Sequence, residues 1–224
     1  MTDTTITVQG RFTAYYPAER ATVEVSIHHE NAERQAAFGA TIASAGIVRE
    51  LVTTFHSPDS GPITWWSSET AQVWAEKPWN NEGVQLPPVF HARLTFTVKF
   101  SDFSALGQWI ESVSDVSGVS VDGIAWALTD ARRAGLTAEV RSRAVKDAVA
   151  KASVYAQSIG LGSVSAVAIA DPGMLGDQVH SGATSEAPGM MRMNKTTALG
   201  EPTLSLKPDD IEVSATVDAR FIAS

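Results

Sequence analysis

The residues of this chain best equipped for chemistry are its tryptophans and histidines. Trp65, Trp66, Trp74 and Trp79 fall within fifteen residues, and large aromatics of this kind fill cores, line ligand pockets or anchor interfaces. On a strand, Trp65 and Trp66 point to opposite faces, so at least one leaves the core unless both faces are covered. His28 and His29 are neighbours near a strand end and face apart, unlike the one-face spacing of a metal pair. His56 or His91 could complete a metal site only through the fold. The reading preferred here is solvent-exposed histidine, with no metal and no cofactor.

Nucleophilic catalysis has no handle. The chain has no cysteine, no Gly-x-Ser-x-Gly elbow and no Ser-x-x-Lys at a credible helix start. Gly160-Leu161-Gly162-Ser163 has the look of a phosphate loop but follows a helix, lacks the lysine and precedes a strand, the reverse of the required order. Asp209, Asp210, Glu212 and Glu201 lack the alternating ligand loop of a calcium site. A non-enzymatic protein is therefore expected.

The elements that must position these residues follow from periodicity. Strands are expected at Ile6 to Val8, 21–27, 63–77, 90–100, 119–129, 163–170 and 211–221, with Tyr15-Tyr16-Pro17 as a turn. The clearest is 90–100, where Phe90, Ala92, Leu94, Phe96, Val98 and Phe100 alternate with His91, Arg93, Thr95, Thr97 and Lys99. A first helix, capped by Asn31, runs to about His56 with Phe38, Ile42, Ala45, Val48, Val52 and Phe55 as its buried stripe. A second, capped by Ser101 or Asp102, buries Phe103, Leu106, Ile110 and Val113 and ends before Gly118.

The third helix, at 131–159, is long and alanine-rich, and Gly160 stops it. Its apolar arc gathers Ala144, Val145, Ala148, Val149, Ala152, Tyr155, Ala156 and Ile159. Glu139–Arg143 and Asp147–Lys151 are supporting pairs four residues apart. Because four of these arc positions are alanine, the helix backbone should sit close to a nearly flat partner. From Asp171 to about Asp210 no period is found, and the stretch holds Met174, Met190, Met191 and Met193. A segment this long is either mobile or grips a partner.

Composition bounds the rest. At 224 residues, 44% hydrophobic and 19% charged, the chain can bury the core of one large domain, 1–224. A formal charge of −8 disfavours nucleic acid. No apolar run reaches the ~18–20 residues of a membrane span, and the start Met1-Thr2-Asp3-Thr4-Thr5 has no basic flank of a secretory signal. A cytoplasmic protein is expected, its fold resting on packing without disulfides.

Three stretches together resemble one family: Ile6-x-Val8-x-Gly10; Ala144-Val145-Lys146-Asp147-Ala148-Val149-Ala150-Lys151-Ala152-x-x-Tyr155-Ala156-x-x-Ile159-Gly160-Leu161; and Lys207-Pro208-Asp209-Asp210-Ile211-Glu212-Val213-Ser214-Ala215-x-Val217. Their order is similar to that of the SIMPL-domain family over essentially the whole chain. The resemblance implies an α+β fold of antiparallel sheet with about three packed helices. It also implies a family found in bacterial envelope proteins and in a mammalian kinase-associated adaptor, with no agreed enzymatic activity. Several bacterial relatives form large rings, so a homo-oligomer is expected. Trp65, Trp66, Trp74, Trp79, Met190, Met191 and Met193 are its candidate interface or ligand contacts.

Overall fold

The computed structural model describes residues 3–175 and 206–224. Met190, Met191 and Met193 lie outside the described residues. Among those described, eight strands and three helices form two antiparallel sheets, an α+β fold. The chain divides into two compact units, one holding 1–16, 130–201 and 212–224, the other 17–129 and 202–211.

The first unit is a three-stranded sheet under one helix. Its strands β1 (Thr4–Tyr16), β7 (Val164–Ala170) and β8 (Ile211–Ala223) lie in the order β1-β8-β7. β1 is longer than its alternation suggested: Tyr15 and Tyr16 still belong to the strand, and the break comes with Pro17, which has no amide proton to donate. Helix α3 (Asp130–Ser158) buries Leu136, Val140, Ala144, Ala148, Ala152 and Ala156, a strict four-residue row. Val149, Tyr155 and Ile159, expected on the buried arc, are exposed. A flat sheet meets the helix along one four-residue ridge, and no other described element covers the wider arc that a helix packed in a groove would bury.

That ridge is as close to the sheet as the alanines imply. All four are fully buried, and a methyl added at Gly10 of β1 would overlap the Ala144 carbonyl oxygen and lie 2.7 Å from the Ala148 nitrogen. Glycine at 10 is thus a requirement of contact between backbones. Gly160 (φ 78°) ends the helix in the left-handed region, as its position suggested.

Polar contacts bind the same two elements. Lys151 Nζ donates to Asp147 Oδ2 at 2.7 Å and to the Gln9 carbonyl at 3.0 Å. The Arg11 amide donates to Asp147 Oδ2 at 2.8 Å. The Lys151 hydrogen bond, then that of Arg11, hold the Asp147 carboxyl below the usual carboxylate range. Glu139 and Arg143 pair at 2.7 Å, as expected.

The second unit is built on β2 (Arg20–Asn31), β3 (Ile63–Ser68), β4 (Gln72–Glu76), β5 (Val89–Phe100) and β6 (Val119–Ala127). The order is β3-β5-β2-β6, with β4 also on β5. The strand expected at 63–77 is two strands set end to end along one edge of β5: Ser68 pairs with Phe96 and Gln72 with Arg93. Between them Glu69 alone bonds through its amide, to the Thr95 carbonyl.

Helices α1 (Arg34–Phe55) and α2 (Phe103–Ser114) cover one face of this sheet. Asp102 caps α2, accepting from the Ser104 and Ala105 amides. Asn31 is not the cap of α1. Its side chain accepts the Glu33 amide in a turn one step earlier, and Glu33 stands at the cap without a side-chain bond. Phe38 and Ile42, expected in the core, are 42% and 44% exposed. The helix lies instead on Ala37, Thr41, Ser44, Ala45, Val48 and Val52. Small side chains bring its backbone so near the sheet that Thr41 Oγ1 donates to the Ala92 carbonyl of β5, which turns the bulky neighbours outward. α1 is apolar enough by length and composition to cross a membrane, but here its inner face is part of the core.

Two outcomes follow for unfolding in urea. Ala148→Leu and Gly10→Ala should each cost about 1–3 kcal/mol by overpacking, and a variant that unfolds like the wild type would refute the contact. The lowered pKa of Asp147 gives stability that is present above the carboxyl's unfolded value and lost as pH falls through its folded value. Asp147→Asn should therefore be less stable than wild type near neutrality, with the gap closing as pH falls through the carboxyl's lowered folded value.

Candidate functional site

Strand alternation sends Val23, Val25, Ile27, Leu94, Phe96 and Val98 into the core under α1 and α2 and sends their neighbours to the opposite face. Register then sets the rows on that face: Thr22 beside Lys99, Glu24 beside Thr97, Ser26 beside Thr95, His28 beside Arg93 and Glu30 beside His91. Trp65 stands next to Lys99, Ser67 next to Thr97, Gln72 next to Arg93 and Trp74 next to His91. Trp65 and Trp74 thus mark the two ends of one face, eight positions apart along β5, or about 27 Å of strand.

At the Trp74 end, three rings lie nearly parallel. Trp74 stacks on His91 and His28 at centroid distances of 5.2 and 5.8 Å, each at 15°. His28 Nε2 lies 3.2 Å from His91 Nδ1, a hydrogen bond in which one ring donates and the other accepts. Glu30 and Glu76 reach within 3.6 and 3.7 Å of the His91 nitrogens. His29 faces the other way, with Nε2 3.0 Å from Ser44 Oγ of α1, as neighbours on a strand must. At the opposite end, Lys99 Nζ sits 4.9 Å from the Trp65 ring centre, a cation–π contact.

Between the ends is a concavity of about 340 Å3 lined by Glu24, Glu69, Thr70, Gln72, Arg93, Thr95, Thr97 and Asp122. Asp122 is the extra residue where β6 shifts register opposite Glu24 and Val25. That bulge aims its carboxylate at two partners, Ser26 Oγ at 3.0 Å and Arg93 at 3.1 Å. Among the described residues, the side chains of Glu24, Glu69, Thr70, Gln72, Thr95 and Thr97 have no hydrogen-bond partner. Chemically the surface offers stacking and hydrogen bonding. No group of three or more His, Asp and Glu among the described residues is placed to hold a metal.

The four tryptophans separate. Trp65 and Trp74 are 45% and 43% exposed on the open face and Trp79 is 66% exposed in the loop beyond β4. Trp66 turns inward, packing on Phe96 at 6.1 Å. A fifth tryptophan, absent from the candidates, fills the core: Trp109 of α2 is fully buried against Phe100, with its indole nitrogen unpaired among the described residues. The polar residues of the concavity were also missed. Their signal was the polar half of the 90–100 alternation, but Glu24, Glu69 and Asp122 join it only through strand pairing and a bulge. Trp66→Ala should cost about 3 kcal/mol while Trp65→Ala changes stability by about 1 kcal/mol or less. Paired urea titrations giving equal losses would show that the two rings do not face apart.

Two solved structures show a partial likeness, those described as the crystal structure of AtUAH in complex with glyoxylate and with (S)-hydroxyglycine. Each is 13% identical, with TM-scores of 0.31 and 0.32, over 58% of this chain and 34% of theirs. Likeness that slight carries no argument, and this chain matches only that third of their length. No curated protein matches the chain. The family model for SIMPL, described as a protein of unknown function (DUF541), matches residues 6–221, and the chain therefore belongs to the SIMPL family.

Proposed function

We propose that this SIMPL protein is a non-enzymatic, self-assembling protein whose contacts between subunits include the outer edge of the second unit's sheet. The observation that supports this reading is the apolar surface carried by that edge and its loop. Trp65, Trp74, Trp79, Val84 and Leu86 are all between 41% and 66% exposed within a short span of chain. Apolar side chains scattered singly are normal on a surface, whereas a concentration with three tryptophans is what interfaces bury. Beyond the His56–Ile63 bridge, no described strand pairs with the outer edges of β3 and β4, and a second chain can cover such edge backbone. Met190, Met191 and Met193 belong to the same proposal as adaptable contacts.

Light scattering on the purified chain at micromolar concentration should give a mass several times that of the monomer. The double variant Trp79→Ala, Leu86→Ser should shift it toward smaller species without altering circular dichroism. A monomeric wild type sinks the proposal, and an unchanged mass in the variant removes this edge from it.

A second reading, a binding module using the open face of the same sheet, is favoured by the six unpartnered polar side chains between Trp65 and Trp74.

A further inference from the structure

The concavity between Trp65 and Trp74 has properties that narrow what could fill it. Among the described residues that line it, the one cation, Arg93, is already bonded to Asp122, and nearby Lys99 lies against Trp65. The side chains of Glu24 and Glu69 have no partner among the described residues. Phosphate, carboxylate and sulfate groups would meet three carboxylates and, among the described lining residues, one arginine already paired, so an anionic ligand is disfavoured.

The remaining groups separate a cation from a neutral ligand. An ammonium group only donates hydrogen bonds. It could satisfy Glu24 and Glu69 but not the N–H donors of Gln72, and a simple diamine would leave most of the Thr70, Thr95 and Thr97 hydroxyls without partners. A hydroxyl group donates and accepts together, so a polyhydroxylated molecule can satisfy carboxylates, amide and hydroxyls at once. Trp74, two residues beyond Gln72 on the same face and half exposed, offers a ring just past the rim of the concavity on which the C–H face of a sugar ring can lie, whereas the Trp65 ring is already covered by Lys99. Trp74 is held in place for this by its stack on His28 and His91, which lowers the ordering needed on binding. A concavity of about 340 Å3 falls within the range of small-molecule sites.

We infer that this face binds a short, uncharged oligosaccharide. The polar floor of Thr95 and Thr97 with Glu24, Glu69 and Gln72 receives its hydroxyls, and Trp74 stacks on a terminal ring. This rests on the second reading above and gives it a ligand class.

The test titrates the full chain with maltotriose, cellotriose and the trimer of N-acetylglucosamine, following tryptophan emission and heat. Spermidine and citrate are titrated in parallel. At least one trisaccharide should bind saturably, with an affinity little changed by added salt. Trp74→Ala and Thr97→Val should each weaken it by about tenfold, a loss of about 1.4 kcal/mol, and Trp79→Ala should leave it unchanged. Thr97→Val keeps the shape and strand preference of the residue, so its loss reports the hydroxyl. Failure of all three sugars, or sugar binding indifferent to both variants, overturns the inference. Spermidine binding that salt and Glu24→Gln abolish, with no sugar binding, also overturns it but keeps the binding-module reading. Silence from every probe sinks both.

Discussion

The unbroken antiparallel pairing of β2 with β5, from Ala21 opposite Phe100 to Asn31 opposite Phe90, decides what the rest of the second unit can be. Side chains alternate with a period of two, so one register assigns Val23, Val25, Ile27, Leu94, Phe96 and Val98 to a single buried layer. The same register sets Glu24, His28, Arg93 and Thr97 side by side on the other face. A slip of one residue would exchange core and site entirely. The helices that cover one face, and the tryptophan-bearing edge strands that extend it, are consequences of that assignment.

The first unit reaches stability by a different route. Where the second packs Phe96, Phe100 and Trp109, the first brings α3 against β1 over alanine and glycine. Close approach replaces side-chain bulk, and the two elements are further joined by Asp147 and Lys151 reaching the backbone of Arg11 and Gln9. Such an interface tolerates no added methyl, because the atoms it would meet are backbone atoms that cannot rotate away.

Function, on the readings proposed here, lies on surfaces that neither core needs. The edge loop carries exposed apolar rings, and the open sheet face carries polar groups without internal partners. Both are features that folding alone does not call for. An assembly contact would remove the first from water, and a polyhydroxylated ligand would satisfy the second. The two surfaces share Trp65 and Trp74, but Trp79 and Leu86 belong to the first alone and Thr95 and Thr97 to the second alone, so changes at those residues separate them.

Much of this architecture was legible in the sequence because it depends on local periodicity. The alternation of 90–100, the Asp102 cap, the alanine row of α3 and its stop at Gly160 are set by residues within a few positions of one another. So is the divergence of Trp65 from Trp66. The sequence likewise carried the family resemblance. What tertiary structure alone decided is how far each periodic stripe is covered. Phe38, Ile42, Val149 and Tyr155 satisfy a helical period, yet small neighbours bring the backbone so close to the sheet that these bulky side chains are left outside. The candidate site was illegible for the same reason: Glu24, Glu69, Arg93 and Asp122 come from four separated segments, and only strand register and one bulge make them neighbours.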